Sequence, residues 1–205
     1  QVLTPASLLQ VNYSLSHASG YLNDPYKIVS VVDASGAPLR YVFESRPDSR
    51  LKHALFVQYK RYIWDRDVID VSYRFMTDDW GIISHTLETS HRWNFGSAQY
   101  LEPHLRLYRQ NAADFYTAAL DSGQEKQVTH ASADPRLGAF NAATLGLKYG
   151  QTLAGGSQWN TRLEYYKQFG QVDGLPPVAG AALSKFDIAP DLGAVMLSFG
   201  FRFSY

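Results

Sequence analysis

The chain has 205 residues, with Lys+Arg and Asp+Glu both 19, so its formal net charge is zero. That balance excludes a nucleic-acid binder driven by counterion release. The absence of cysteine excludes disulfides, thiolate chemistry and cysteine-based zinc sites. Aromatics make up 14% of the chain, and Tyr and Trp favour membrane–water interfaces because one end of the ring is apolar and the other wet.

Eight segments alternate polar and apolar residues with period two, the signature of a half-buried strand. The first spans about 7–19, with Leu9, Val11, Tyr13 and Leu15 against Gln10, Asn12, Ser14 and Ser16. The second, about 51–63, sets Leu55, Val57 and Tyr59 against Lys52, Gln58 and Lys60. In the third, about 67–77, Ile69, Val71, Tyr73 and Phe75 oppose Asp70, Ser72 and Arg74. The fourth, about 81–94, has Ile83, Leu87 and Trp93 against Ser84, Thr86, Glu88 and Arg92. The fifth, about 99–110, has Leu101, Leu105 and Leu107 against Glu102, His104 and Arg106. The sixth, about 142–153, has Leu145, Leu147 and Tyr149 against Thr144 and Lys148. The seventh, about 158–169, has Trp159, Leu163, Tyr165 and Phe169 against Asn160, Arg162 and Glu164. The eighth, 191–205, places Val195, Leu197, Phe199, Phe201, Phe203 and Tyr205 on one face and Ser198, Gly200 and Arg202 on the other.

This pattern predicts an all-β fold: a transmembrane antiparallel up-and-down β-barrel with about eight strands in this chain, as a single domain over 1–205. No stretch reaches the roughly 18 to 20 apolar residues of a membrane helix, and a barrel needs none. Connections alternate between short turns and long loops at 20–50, 111–139 and 170–190, as in barrels with short periplasmic turns and long external loops. Both chain ends then lie on the periplasmic side. Within the first loop, residues 28–32 and 41–43 read as strands around a turn at 33–38, a hairpin above the barrel or folded into its mouth. No signal peptide is evident, and Gln1 leads almost directly into a strand. The expectation is a mature start or the C-terminal part of a larger barrel.

The expected lumen face carries Arg74, Glu88, Arg92, Glu102, Arg106, Lys148, Arg162, Glu164 and Arg202, a mixed-charge lattice suited to a hydrated interior. A soluble barrel of the lipocalin kind has the reverse polarity and is the alternative fold reading. The terminal aromatics Phe199, Phe201, Phe203 and Tyr205 resemble the C-terminal signal read by the outer-membrane barrel assembly machinery.

Several loop motifs invite a functional reading. In Arg46-Pro47-Asp48-Ser49-Arg50, Asp48 is expected to pair with Arg46 or Arg50 and Pro47 to fix the entry angle, with anion or partner recognition as the alternative. Asp78 and Asp79 at a tight turn offer oxygens for a divalent cation together with Asp114 or Asp134, yet their spacing matches no dedicated calcium loop. The expectation is a turn with Trp80 as an interfacial anchor. Ser84, His85 and Glu88 suggest a lipid hydrolase, but adjacent strand residues point to opposite faces, so Ser84 and His85 cannot meet. His104 is the remaining cross-strand base. His85 and His91 fall on the apolar face.

Together several stretches carry a family resemblance. They are Gly20-Tyr21-Leu22-Asn23-Asp24-Pro25-Tyr26-Lys27; Arg46 to Arg50 with His53-Ala54-Leu55; and Tyr73-Arg74-Phe75 with Asp78-Asp79-Trp80-Gly81-Ile82 and His85-Thr86-Leu87-Glu88. Leu105-Arg106-Leu107-Tyr108-Arg109-Gln110 with Ala112-Ala113-Asp114-Phe115-Tyr116, and Asp134-Pro135-Arg136-Leu137-Gly138-Ala139-Phe140, complete the set. From about residue 5 onward the chain resembles the uncharacterised Gram-negative family called domain of unknown function 3570. The resemblance implies an outer-membrane barrel, longer than this chain, encoded near flavin-transferase-like and thioredoxin-like envelope proteins. It supplies no catalytic, cofactor-binding or metal-binding residues. The expected function is a structural anchor, scaffold or pore of the bacterial outer membrane, without enzymatic activity or cofactor. Its expected partners are the lipid bilayer, lipopolysaccharide, the assembly machinery and other envelope proteins. A lipid-modifying outer-membrane enzyme and a soluble ligand-binding barrel are the alternatives.

Overall fold

The computed structural model describes residues 2–64, 66–189 and 191–204. Eight long strands follow the alternating segments closely: β2 (Ser7–Ser19), β5 (Ser49–Ile63), β6 (Asp67–Asp78), β7 (Ile83–Phe95), β8 (Gln99–Gln110), β10 (Phe140–Thr152), β11 (Gln158–Gly170) and β12 (Leu192–Arg202). A three-residue strand, β1 (Val2–Thr4), adds to β2 through a tight turn. The sheet is antiparallel throughout, in the order β1-β2-β5-β6-β7-β8-β10-β11-β12. Among the described residues it is open, since β12 pairs only with β11 and lies at the edge opposite β1.

Register keeps like with like. Val57 pairs with Tyr73, Leu105 with Leu145, Leu147 with Leu163, and Leu163 with Leu197. Directly opposed apolar side chains stabilise each other, and a one-residue slip would move all of them to the other face. The turns use the backbone freedom of glycine where it is needed. Gly155 and Gly156, both at positive φ, link β10 to β11, a region open to glycine without a Cβ clash.

The two faces are buried in the reverse of a soluble protein's order. Leu145 is 65% exposed and Leu197 76%, with Val11, Leu87, Leu107 and Leu163 also open along the same face. On the other face Ser84, Thr86, Gln110 and Thr144 are buried.

The buried apolar core instead lies in a cap at one end of the sheet, built from the long loops. Strands β3 (Ile28–Val32) and β4 (Pro38–Phe43) form the hairpin expected in the first loop, and β9 (Leu120–Asp121) joins β3 in parallel. Val29, Val31, Leu120 and Ala131 make one cluster, while Trp80, Ile82, Ala113 and Leu137 make a second. Met76, from the polar face of β6, packs against the second cluster. Gln110, from the same face of β8, donates to the carbonyls of Arg136 (3.1 Å) and Gly138 (2.7 Å). The cap therefore folds over the polar face rather than standing clear of it.

Trp80 is not an interfacial anchor. It is 4% exposed, set edge-on to Phe115, and its indole N–H donates to the Ser49 carbonyl at 2.7 Å. The turn that holds it folds inward beneath the cap, where a large ring contributes more by burial than at a surface. Trp80→Ala should cost about 3 kcal/mol by leaving a cavity. Hydrogen exchange checks this: the Ala113 and Asp114 amides, bonded to Leu137 and Trp80 carbonyls, should lose protection while those of β10 and β11 keep it.

Candidate functional site: the capped polar face

The polar face and the cap are joined by charge. Arg50 donates to Asp78 Oδ2 through Nε (2.8 Å) and Nη2 (2.5 Å), and its guanidinium lies 4.3 Å from the centre of the Trp80 ring. The other Asp78 oxygen accepts from the Trp80 and Ile82 amides at 3.1 and 2.9 Å. Asp79 accepts from the Leu51 amide at 2.9 Å. These carboxylates close a turn and anchor an arginine. Asp78 and Asp79 belong to no cluster able to hold a metal ion among the described residues.

Arg46 turns away from Asp48. Its Nε lies 2.7 Å from Glu44 Oε1, and its Nη2 donates to Asp134 Oδ2 at 2.8 Å. Asp48 pairs with neither arginine among the described residues; its backbone carbonyl accepts from the Gly20 amide at 2.8 Å. The expected short-range pairing fails because larger partners lie across the cap. Arg136 completes the lattice by donating to Asp134 and to Asp24, the latter at 3.1 Å, and Ser132 donates to Glu44. Asp134 is 1% exposed. Burial works against its charge, but hydrogen bonds from the Arg136 side chain and backbone and from Arg46 override that and hold its carboxyl at about 2. Sequence reasoning missed Glu44 and Ser132, whose only signal was proximity to the quoted Arg46 and Asp134 motifs.

Below the cap, a cavity of about 560 Å³ opens on the polar face, walled by Tyr108, Phe140 and Tyr166 and floored by a histidine between two carboxylates. His104 Nδ1 lies 2.9 Å from Glu164 and its Nε2 lies 3.0 Å from Glu88. Both contacts are hydrogen bonds when each ring nitrogen carries a proton, because ionised carboxylates only accept. His104 on β8 and Glu164 on β11 are separated by β10, and both are in register with Gly146. Glycine makes the crossing possible, since a Cβ at 146 would sit 2.9 Å from Glu164 Cγ. Four residues further along β10, Tyr100 lies over Gly150 in the same way, and the Arg92 guanidinium rests 3.6 Å from the centre of that ring.

The other expected polar-face residues are all on this side of the sheet. Arg162 reaches Glu102 at 3.5 Å and Glu164 at 3.6 Å. Arg74 lies over Phe56 at 5.7 Å, and Lys148 is 5.7 Å from the Tyr100 ring. Among the described residues Arg74, Arg92, Arg106, Lys148 and Arg202 have no carboxylate partner. On this neutral chain those five bases lie on the polar face, and the cap loops hold an excess of acids.

Ser84 and His104 do not meet. Ser84 is opposite Gln110 and His104 is opposite Ser90, six residues along the strand or about 20 Å. His85 does not face Ser84 either: its Nδ1 is 2.6 Å from the Tyr73 hydroxyl on the apolar face. Tyr13 and His53 form the same kind of pair at 2.7 Å. His91 is on that face as well, 3.5 Å from Asp67.

Sheet, cap and polar face thus define an all-β protein whose main sheet is antiparallel, with an uncovered apolar face and a capped, charged one. A family model described as "Protein of unknown function (DUF3570)" matches residues 1–203, and the chain belongs to that family. No curated protein and no solved structure matches.

Asp134→Asn should loosen the cap by about 3 kcal/mol, because it leaves the largely buried Arg46 with an incomplete partner. The same carboxyl sets a pH dependence. Its folded value lies below its ordinary 3.8, so its contribution is complete above about pH 4 and is withdrawn as pH falls towards 2. Limited proteolysis of the loops across that range should show cleavage rising on acidification, with the Asn variant already susceptible at neutral pH.

Proposed function

We propose that this chain forms part of the wall of a bacterial outer-membrane β-barrel that acts as a capped anchor, scaffold or pore. The observation that carries the reading is the inverted burial of the sheet, with leucines and valines open on one face and Ser84, Thr86 and Thr144 sheltered on the other. An apolar patch of that extent has lipid as its natural neighbour, and a charged face has a hydrated lumen.

Aromatic positions support the same orientation. At the end opposite the cap, Trp93, Phe95, Tyr149, Trp159 and Phe199 form a chain of ring contacts between 5.4 and 6.4 Å. Near the cap, the Tyr13–His53 and Tyr73–His85 pairs place polar atoms towards one end of the apolar face. On β11, Trp159 and Phe169 are ten residues apart, about 33 Å along the strand. Tilted by about 40°, that covers the roughly 25 Å apolar band of an outer-membrane barrel. The cap then faces outward, towards lipopolysaccharide, and the short turns face the periplasm. Phe199, Phe201 and Phe203 are exposed on the lipid side of the terminal strand, where the assembly machinery would read them; Tyr205 lies outside the described residues.

In lipid each unpaired backbone group costs several kcal/mol. The reading therefore requires the free edges of β2 and β12 to pair, with each other or with further strands.

Two lysine substitutions test the proposal. Leu145→Lys, at mid-height of the apolar face, should destabilise the bilayer-inserted fold by about 2–4 kcal/mol. Asn12→Lys, on the polar face, should change it by less than about 0.5 kcal/mol. Denaturant titration in liposomes measures both. Equal effects, or recovery of the folded protein in the aqueous phase without detergent, would reject the membrane reading.

A further inference from the structure

The cavity beneath the cap holds one cation that its neighbours leave unused. Arg106 pairs in register with Glu88 on β7 and with Thr144 on β10. The Glu88 carboxylate is engaged by His104 at 3.0 Å, and no carboxylate among the described residues forms an ion pair with Arg106. Arg162, the other guanidinium of the cavity, is shared between Glu102 and Glu164. Arg106 is therefore the cavity guanidinium left without an ion-pair partner among the described residues.

The surroundings specify the rest of the ligand. Tyr108 and Phe140 are in ring contact at 5.3 Å and form an apolar wall, with Met196 nearby. The Tyr108 and Tyr166 hydroxyls donate to Gln110 (2.6 Å) and Gln168 (2.9 Å), so they present oxygens rather than free protons to the cavity. Glu88 and Glu164 on the floor repel a second negative charge. About 560 Å³ is within the range that holds a small organic molecule.

We propose that this cavity binds a small organic monocarboxylate with an apolar body, the carboxylate on Arg106 and the body against Tyr108 and Phe140. A planar guanidinium matches a carboxylate through two parallel hydrogen bonds. Inorganic phosphate, largely dianionic at neutral pH, is repelled more strongly by Glu88 and Glu164 and has no apolar part to meet the wall. The inference rests on the barrel reading to the extent that the polar face must be wet and screened from lipid.

The test is titration calorimetry on the full chain folded in detergent, with benzoate, benzyl alcohol and inorganic phosphate as probes and detergent alone as the blank. Benzoate should bind saturably and at least tenfold more tightly than either other probe. Arg106→Gln should weaken benzoate at least tenfold, while Arg92→Gln, on the same face outside the cavity, should leave it unchanged. Absence of saturable benzoate binding overturns the site, as does equal binding by the Arg106 variant or by benzyl alcohol. Phosphate binding as tight as benzoate overturns the monocarboxylate assignment. Heat-modifiable gel migration of the same sample separates the two readings. A heat-modifiable fold without benzoate binding sinks the site alone, and Arg106-dependent binding by a protein that partitions into water sinks the barrel alone.

Discussion

The antiparallel register between neighbouring strands governs everything else in this molecule. If β8 moved by one residue against β10, His104 and Arg106 would cross to the apolar side and Leu105 and Leu107 would enter the charged one. Both faces penalise that slip, because one cannot take a charge and the other would leave Glu88 and Glu164 without their histidine. The cross-strand pairs thus specify position as much as they stabilise it. The sheet can be long, regular and nearly free of an internal core because its two environments hold each strand in place.

A second constraint acts at the capped end. Three stretches far apart in sequence, around Asp24, Glu44 to Arg46 and Ser132 to Arg136, meet in one lattice of charge-assisted hydrogen bonds. Long loops normally keep much of their conformational freedom. Here that freedom is removed by buried ion pairs and by two small apolar clusters, and Gln110 and Met76 tie the result to the sheet. The cap thus covers the end of the polar face next to the cavity, whose own walls come from the strands.

The strands were legible because their signal is local. Period-two alternation located all eight long segments to within a few residues, and the hairpin of the first loop was visible as β-branched runs around Asp33 to Pro38. The cap lattice was not legible. Asp48 is between two arginines in sequence, which made it the obvious partner, yet Arg46 reaches Asp134, 88 positions away. Trp80 suggested a membrane anchor by residue type, while its burial depends on Phe115 and Leu137 in another loop. The roles of Gly146 and Gly150 were also hidden, since a strand glycine gives no hint of which side chains will cross above it.

The crossing over Gly146 bears on the order in which this protein assembles. Most contacts in an up-and-down sheet join strands adjacent in sequence and can form hairpin by hairpin. The link from His104 to Glu164 skips a strand. It spans 60 positions and closes only after β8, β10 and β11 have all come into alignment, with Glu88 on β7 as the fourth participant. The imidazole therefore acts as a latch on a four-strand unit: one nitrogen contacts Glu88 within the β7–β8 hairpin, and the other reaches Glu164 to secure the group once the last member has docked.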